Sequence, residues 1–140
     1  MRTPKTWREK LEIDKPRKVV DIPPHMQRSN GKGKLLIPTP LDVDAQVRQI
    51  PKGRVMTTNE LRADLAHKFG ADTTCPMCIG MFLRIVAEAS EERGRNKTPY
   101  WRVISSEGKM NPKFPGGVDA QAAALRAEGH VIEAGRMKRS

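Results

Sequence analysis

Two groups of residues in this chain have types and spacing suited to chemistry: the thiol pair Cys75-Pro-Met-Cys78 and the aromatic pair Tyr100-Trp101. A C-x-x-C serves redox or metal chemistry when it has a thioredoxin-like setting or two further ligands. No second cysteine pair exists, and His25, His67 and His130 show no ligand spacing. The expectation is therefore no metal and no cofactor, with both cysteines as half-buried thiols at a helix start. An enzyme using Cys75 or Cys78 as nucleophile stays as an alternative. Tyr100 and Trp101 offer a different chemistry, because aromatic faces stack on bases and on apolar groups. They equally suit a space-filling role, and the residues alone leave the two readings level.

The elements that must position these residues follow from periodicity and punctuation. Residues 1–40 read as an irregular arm with one helix, started by Thr3-Pro4 and presenting Trp7 and Leu11 on one face. Pro16, Pro23, Pro24 and the Ser-Asn-Gly-Lys-Gly run at 29–33 break further regular structure, leaving a flexible stretch near 28–34. Leu41, Val43, Val47 and Ile50 predict a short helix ended by Pro51 and Gly53. Thr57 and Glu60 have capping-box spacing ahead of a helix with Leu61, Leu65 and Phe69 on one face. A third helix opens at Cys75-Pro76 and buries Ile79, Phe82, Leu83, Val86 and Ala89. Two such helices joined by a short turn read as a helix-turn-helix. Tyr100–Ser105 looks strand-like, and Asp119 is the expected cap of a last helix that ends at Gly129.

The 140 residues suit one domain with accessory chain, and 37% hydrophobic residues support a modest core. A mean hydropathy of -0.61 and no apolar run near the about 18 residues of a span speak against a membrane role. The first residues lack the apolar core of a secretory signal, so the cytoplasm is the expected compartment. Net charge is +10 with a pI near 10.1, which favours polyanion partners. The excess is uneven: +6 over residues 1–37, +2 over 38–130 and +2 over 131–140. Lys10, Lys15, Arg17, Lys18, Lys32 and Lys34 are thus candidates to track phosphates, although basic termini also aid solubility. Monomer is the default state.

Four segments, in this order, resemble the DNA-binding domain of the O6-alkylguanine-DNA alkyltransferases. They are IPKGRVMTTNEL (50–61), CIGMFL (78–83), PYWRVISSEGKMNPKFPGG (99–117) and RAEGH (126–130). The resemblance implies a mainly α fold with a short β segment, a winged-helix-like helix-turn-helix domain over 41–130. A basic arm (1–40) stands where the family carries a separate N-terminal domain, and a basic tail (131–140) follows. The family's P-C-H-R-V motif, whose cysteine takes the alkyl group from a flipped guanine, corresponds to Pro99-Tyr-Trp-Arg-Val103. Tyr100 stands at the thiol, Trp101 at the imidazole that would draw its proton, and Glu128 at the orienting glutamate. A phenol with an ordinary pKa near ~10 is a poor acceptor without a base beside it. Tyr100, Trp101 and Glu128 are therefore expected to be a vestigial site without methyltransferase activity.

The resemblance to the alkyltransferase-like members, which bind alkylated DNA without repairing it, implies a non-catalytic protein whose partner is double-stranded DNA, with a repair protein as a further partner. Thr58 and Met77 correspond to the family tyrosine that helps rotate the nucleotide and the arginine that fills the gap in the stack. Met77 can replace the latter as an apolar wedge. Gly80 permits close approach of the helix to the minor groove, or serves helix packing. Met81 and Arg84 follow it towards DNA, unless Arg84 simply pairs with Glu88. Arg102 contacts phosphate or braces the site, and Tyr100, Trp101 and Phe114 form the expected base pocket. The alternative from a different class is a basic interaction or scaffold protein on the same fold, favoured by the near-balanced charge of 38–130.

Overall fold

The computed structural model describes residues 6–27 and 33–137. In order these form α1 (Trp7–Leu11), β1 (Lys18–Asp21), a 3-10 turn (Pro24–Met26), β2 (Lys34–Ile37), α2 (Pro40–Val47), β3 (Met56–Thr57) and α3 (Thr58–Lys68). There follow β4 (Thr73–Thr74), α4 (Pro76–Arg93), a 3-10 turn (Tyr100–Arg102), β5 (Val103–Ile104), α5 (Gly117–Ala127), β6 (Ile132–Glu133) and β7 (Arg136–Met137). The fold is mainly α with short β segments, as the sequence implied. Among the described residues no helix is long and apolar enough to cross a membrane, and no cluster of three or more His, Cys, Asp or Glu could hold a metal ion.

One local device starts three of the helices. Thr6, Thr39 and Thr57 each accept a hydrogen bond from the backbone N–H three residues on, while the carboxylates of Glu9, Asp42 and Glu60 accept one from the backbone N–H of Thr6, Thr39 and Thr57. These capping boxes satisfy donors that a helix start otherwise leaves bare. The first helix thus begins at Thr6-Trp7; the Thr3-Pro4 start expected from the sequence lies outside the described residues. Pro76 opens α4, and Gly94 closes it in the left-handed region at φ 73°. α5 departs from expectation: Gly116 is its N-cap, and Asp119 lies inside the first turn, where its charge favours the helix dipole.

The arm carries more regular structure than one helix. β1 pairs antiparallel with β2 between the prolines that seemed to forbid it, and β2 pairs parallel with β4, Leu36 opposite Thr74. Ile22, Leu35 and Leu36 are buried there. The prolines end strands rather than abolish them, and the apolar runs between supply the pairing. α1 docks on α4: Leu11 is buried, and the Glu92 carboxylate accepts the backbone N–H groups of Trp7 and Arg8 at 3.2 Å each. Residues 131–137 form a β6–β7 hairpin turning at Ala134-Gly135, both with positive φ.

The strand-like reading of Tyr100–Ser105 shrinks to Val103–Ile104, which pairs parallel with β3. Tyr100–Arg102 coils into a 3-10 turn, with Arg102 N–H donating to the Pro99 carbonyl. The larger core runs from Leu11 through α2, α3 and α4 to Tyr100, Val103 and Phe114. A second joins Ile104, Met110, Ala122, Leu125 and Ile132, and Trp101 packs against both.

Candidate nucleic-acid interface

α3 and α4 are held in fixed relation by the turn between them. Arg62 of α3 donates to the Thr74 carbonyl at 2.9 Å and to Thr73 Oγ1 at 3.2 Å, and the buried Thr74 hydroxyl donates back to the Arg62 carbonyl at 2.7 Å. Their apolar faces, with Leu61, Leu65, Ile79 and Leu83, close the core beneath. What α4 leaves outside is a stripe at helical spacing: Met77, Gly80, Met81 and Arg84. Met77 is 75% exposed and Met81 56%, large values for apolar side chains. Thr58 is half-buried at the start of α3.

The arm joins this face. Arg84 lies over the Trp7 ring at 5.5 Å, so it meets an aromatic of the arm. Lys10, Lys15 and Lys18 line a cavity of about 620 Å³ together with Met81, Phe82 and Ile85 of α4. Lys10 Nζ also sits over the Trp7 ring, at 4.1 Å. Two of the expected phosphate trackers are otherwise engaged. Arg17 makes a two-pronged pair with Asp42 at 3.0 and 2.7 Å, and Lys34 pairs with Asp21 at 2.6 Å. Lys32 lies outside the described residues.

The Pro99–Val103 segment is organised around two carboxylates. Glu128, at the end of α5, accepts Arg102 Nε at 3.0 Å and a second guanidinium N–H at 2.8 Å, and also Trp101 Nε1 at 3.1 Å. The third arm of Arg102 donates to the Ile50 carbonyl at 2.7 Å. Both partners are largely enclosed, with side chains 13% and 9% exposed. The Arg102 hydrogen bonds hold the Glu128 carboxyl below the usual range, against the upward push of burial. Arg102 is thus placed as a brace tying the segment to α5 and to the chain after α2.

Tyr100 is the other anchor. Its ring meets Trp101 edge-on at 5.3 Å and Phe114 at 5.2 Å, and its hydroxyl donates to Glu91 at 2.8 Å. Burial, then the Glu91 carboxylate, pushes the phenol well above its ordinary range, so it stays neutral. The three residues expected as a base pocket do cluster, but they line two cavities. Tyr100 and Trp101 line one of about 570 Å³ with Glu91, Lys97, Pro115 and Gly116. Phe114 lines another of about 280 Å³ with Thr58, Leu83, Val103 and Asn111.

Gln121 was not singled out from the sequence, yet it binds the site together. It is buried, donates to the Trp101 and Val103 carbonyls at 3.1 and 2.8 Å, and accepts from the Asn111 backbone at 2.6 Å. The signal was present: an amide one turn before Leu125, on the apolar side of an alanine-rich helix, must have partners waiting.

A mainly helical module with an exposed, cation-flanked helix face has the form of a nucleic-acid-binding domain. A profile of the family described as 6-O-methylguanine DNA methyltransferase, DNA binding domain, matches residues 39–130, and the chain belongs to that family. DNA is thus its partner class, in a repair context. No curated protein matches the chain significantly.

Proposed function

We propose that this protein binds duplex DNA through the helix-turn-helix of α3 and α4, reads alkylated or flipped bases, and takes no alkyl group from them. The observation that carries this reading is the state of the Pro99–Val103 segment. It holds no thiol; its phenol is spent on Glu91, and its indole N–H on the glutamate that would orient a base. The binding face supports the other half. Met77 is free to wedge into a stack emptied by flipping, and the arm lysines extend the positive surface along α4. Of the two cavities, the one lined by Thr58, Leu83 and Phe114 suits the base better, because both helices contribute to its wall. Tyr100 then supports Phe114 through ring contact, and Trp101 backs Tyr100.

The test is fluorescence anisotropy of one short duplex, with and without a single O6-methylguanine, across a salt series. Severalfold tighter binding of the lesion is expected, with affinity falling by about one log unit per log unit of salt for each phosphate contact. Equal binding of both duplexes would remove lesion reading and leave a non-specific DNA binder. No binding at low salt would bring the interaction-protein alternative forward.

Gly80→Ala separates DNA contact from helix packing. Gly80 lies inside α4, exposed, and an added Cβ meets nothing within 4 Å. The alanine is expected to stabilise the fold by about 0.5–1 kcal/mol. If the minor groove comes close at Gly80, the same variant loses DNA affinity while its melting temperature rises. Unchanged affinity in the stabilised variant would place the contact elsewhere on the helix.

A further inference from the structure

Cys75 and Cys78 take no part in the DNA reading, yet the fold adds a strand ahead of the helix start that spacing gave them. β4 runs directly into Cys75, which is the N-cap of α4 with non-helical backbone, and Cys78 lies in the first turn of that helix. A strand ending on the first cysteine, with a long helix carrying the second, is the local geometry of a working C-x-x-C couple. Pro76 and Met77 between them are helical. Helix geometry therefore places the two Cα atoms about 5 Å apart, inside the roughly 4.4–6.8 Å that a disulfide spans. Both thiols are free and only half-buried, so a small oxidant has access. Burial, then the hydrogen bond with Cys75, pushes the Cys78 thiol up, and that bond keeps the two sulfurs side by side.

We infer that Cys75 and Cys78 are a reversible dithiol–disulfide couple, oxidised by hydrogen peroxide and returned by small thiols. The Cys75 thiolate attacks one peroxide oxygen; the O–O bond breaks, and a sulfenic acid forms with release of hydroxide. Cys78 sulfur then attacks Cys75 sulfur, the S–S bond forms, and the hydroxyl leaves with the Cys78 proton as water. Two electrons pass from the thiols to the peroxide, which with the protons supplied becomes two waters. Met77 lies inside the ring so closed, and oxidation fixes the turn that carries it. The inference stands whether or not the protein reads lesions.

The experiment is thiol titration and intact-mass measurement of the folded full chain before and after peroxide. The two titratable thiols are expected to fall to zero, with the mass lower by two hydrogens, no cross-linked dimer on a non-reducing gel, and full recovery in dithiothreitol. Cys78→Ser lacks the resolving thiol and is expected to hold a sulfenic acid that dimedone captures at Cys75. Persistence of both thiols under peroxide that fully oxidises free cysteine would overturn the inference. So would sulfinic acid without a disulfide, or linkage only between chains. The wild-type measurements decide the matter even where the variant fails to fold.

Discussion

Tyr100→Ala is expected to lower the melting temperature by roughly 15 °C, from a loss of about 4 kcal/mol. The ring is 7% exposed and stands between Trp101 and Phe114 as two edge-to-face contacts. Its removal opens a cavity where the core meets the Pro99–Val103 segment and forfeits ring pairs worth about 0.5–1.5 kcal/mol each. Tyr100→Phe keeps the ring and gives up only the bond to Glu91, which still accepts from Lys97 at 2.9 Å. Its cost is expected to be about 1 kcal/mol. Thermal unfolding by circular dichroism of both variants checks the contrast. Equal losses would mean that the hydroxyl, not the ring, is what holds this segment. A small loss for alanine would mean that Tyr100 lines an open site rather than closing one, and the base-pocket reading of this residue would gain.

Glu128→Gln is the second large effect, at about 3 kcal/mol or roughly 10 °C in melting temperature. The amide keeps the volume and a partner for Trp101, but it leaves the Arg102 guanidinium enclosed without its counter-charge. Breaking one side of such a pair costs more than replacing both sides with apolar groups. The double variant Glu128→Leu/Arg102→Met is therefore expected to lose less than the two single variants summed. Additive losses would show that the two residues act separately. The pair also sets a pH dependence. The folded-state carboxyl of Glu128 lies below its unfolded value, so the stability it contributes is complete above the ordinary glutamate range near ~4.3 and is lost as pH falls through the folded value. Melting temperatures of the native chain are expected to drop more steeply below that range than those of Glu128→Gln. Parallel curves would deny Glu128 this share.

The sequence by itself determined those features that depend on neighbours a few residues apart. The Thr57–Glu60 capping box, the buried stripe of α4 with its Pro76 start, and the ordered P-x-x-R-V, G-G and E-G-H segments need only local spacing, and they led to the right family and fold class. The tertiary structure decided whatever depended on partners far along the chain. Strands β1 and β2 have no meaning until β4 lies beside them, so proline punctuation alone read the arm as irregular. Arg17 and Lys34 looked like free cations until Asp42 and Asp21 arrived from other elements. Arg102 became a brace only when Glu128, 26 residues on, met both prongs of its guanidinium. Cys75 and Cys78 sat at a helix start already legible in the sequence, but the strand before them exists only because β4 pairs with β2. Side-chain type and spacing carry propensity, but a hydrogen bond or ion pair is a property of two groups, and the chain's path through space chooses the second.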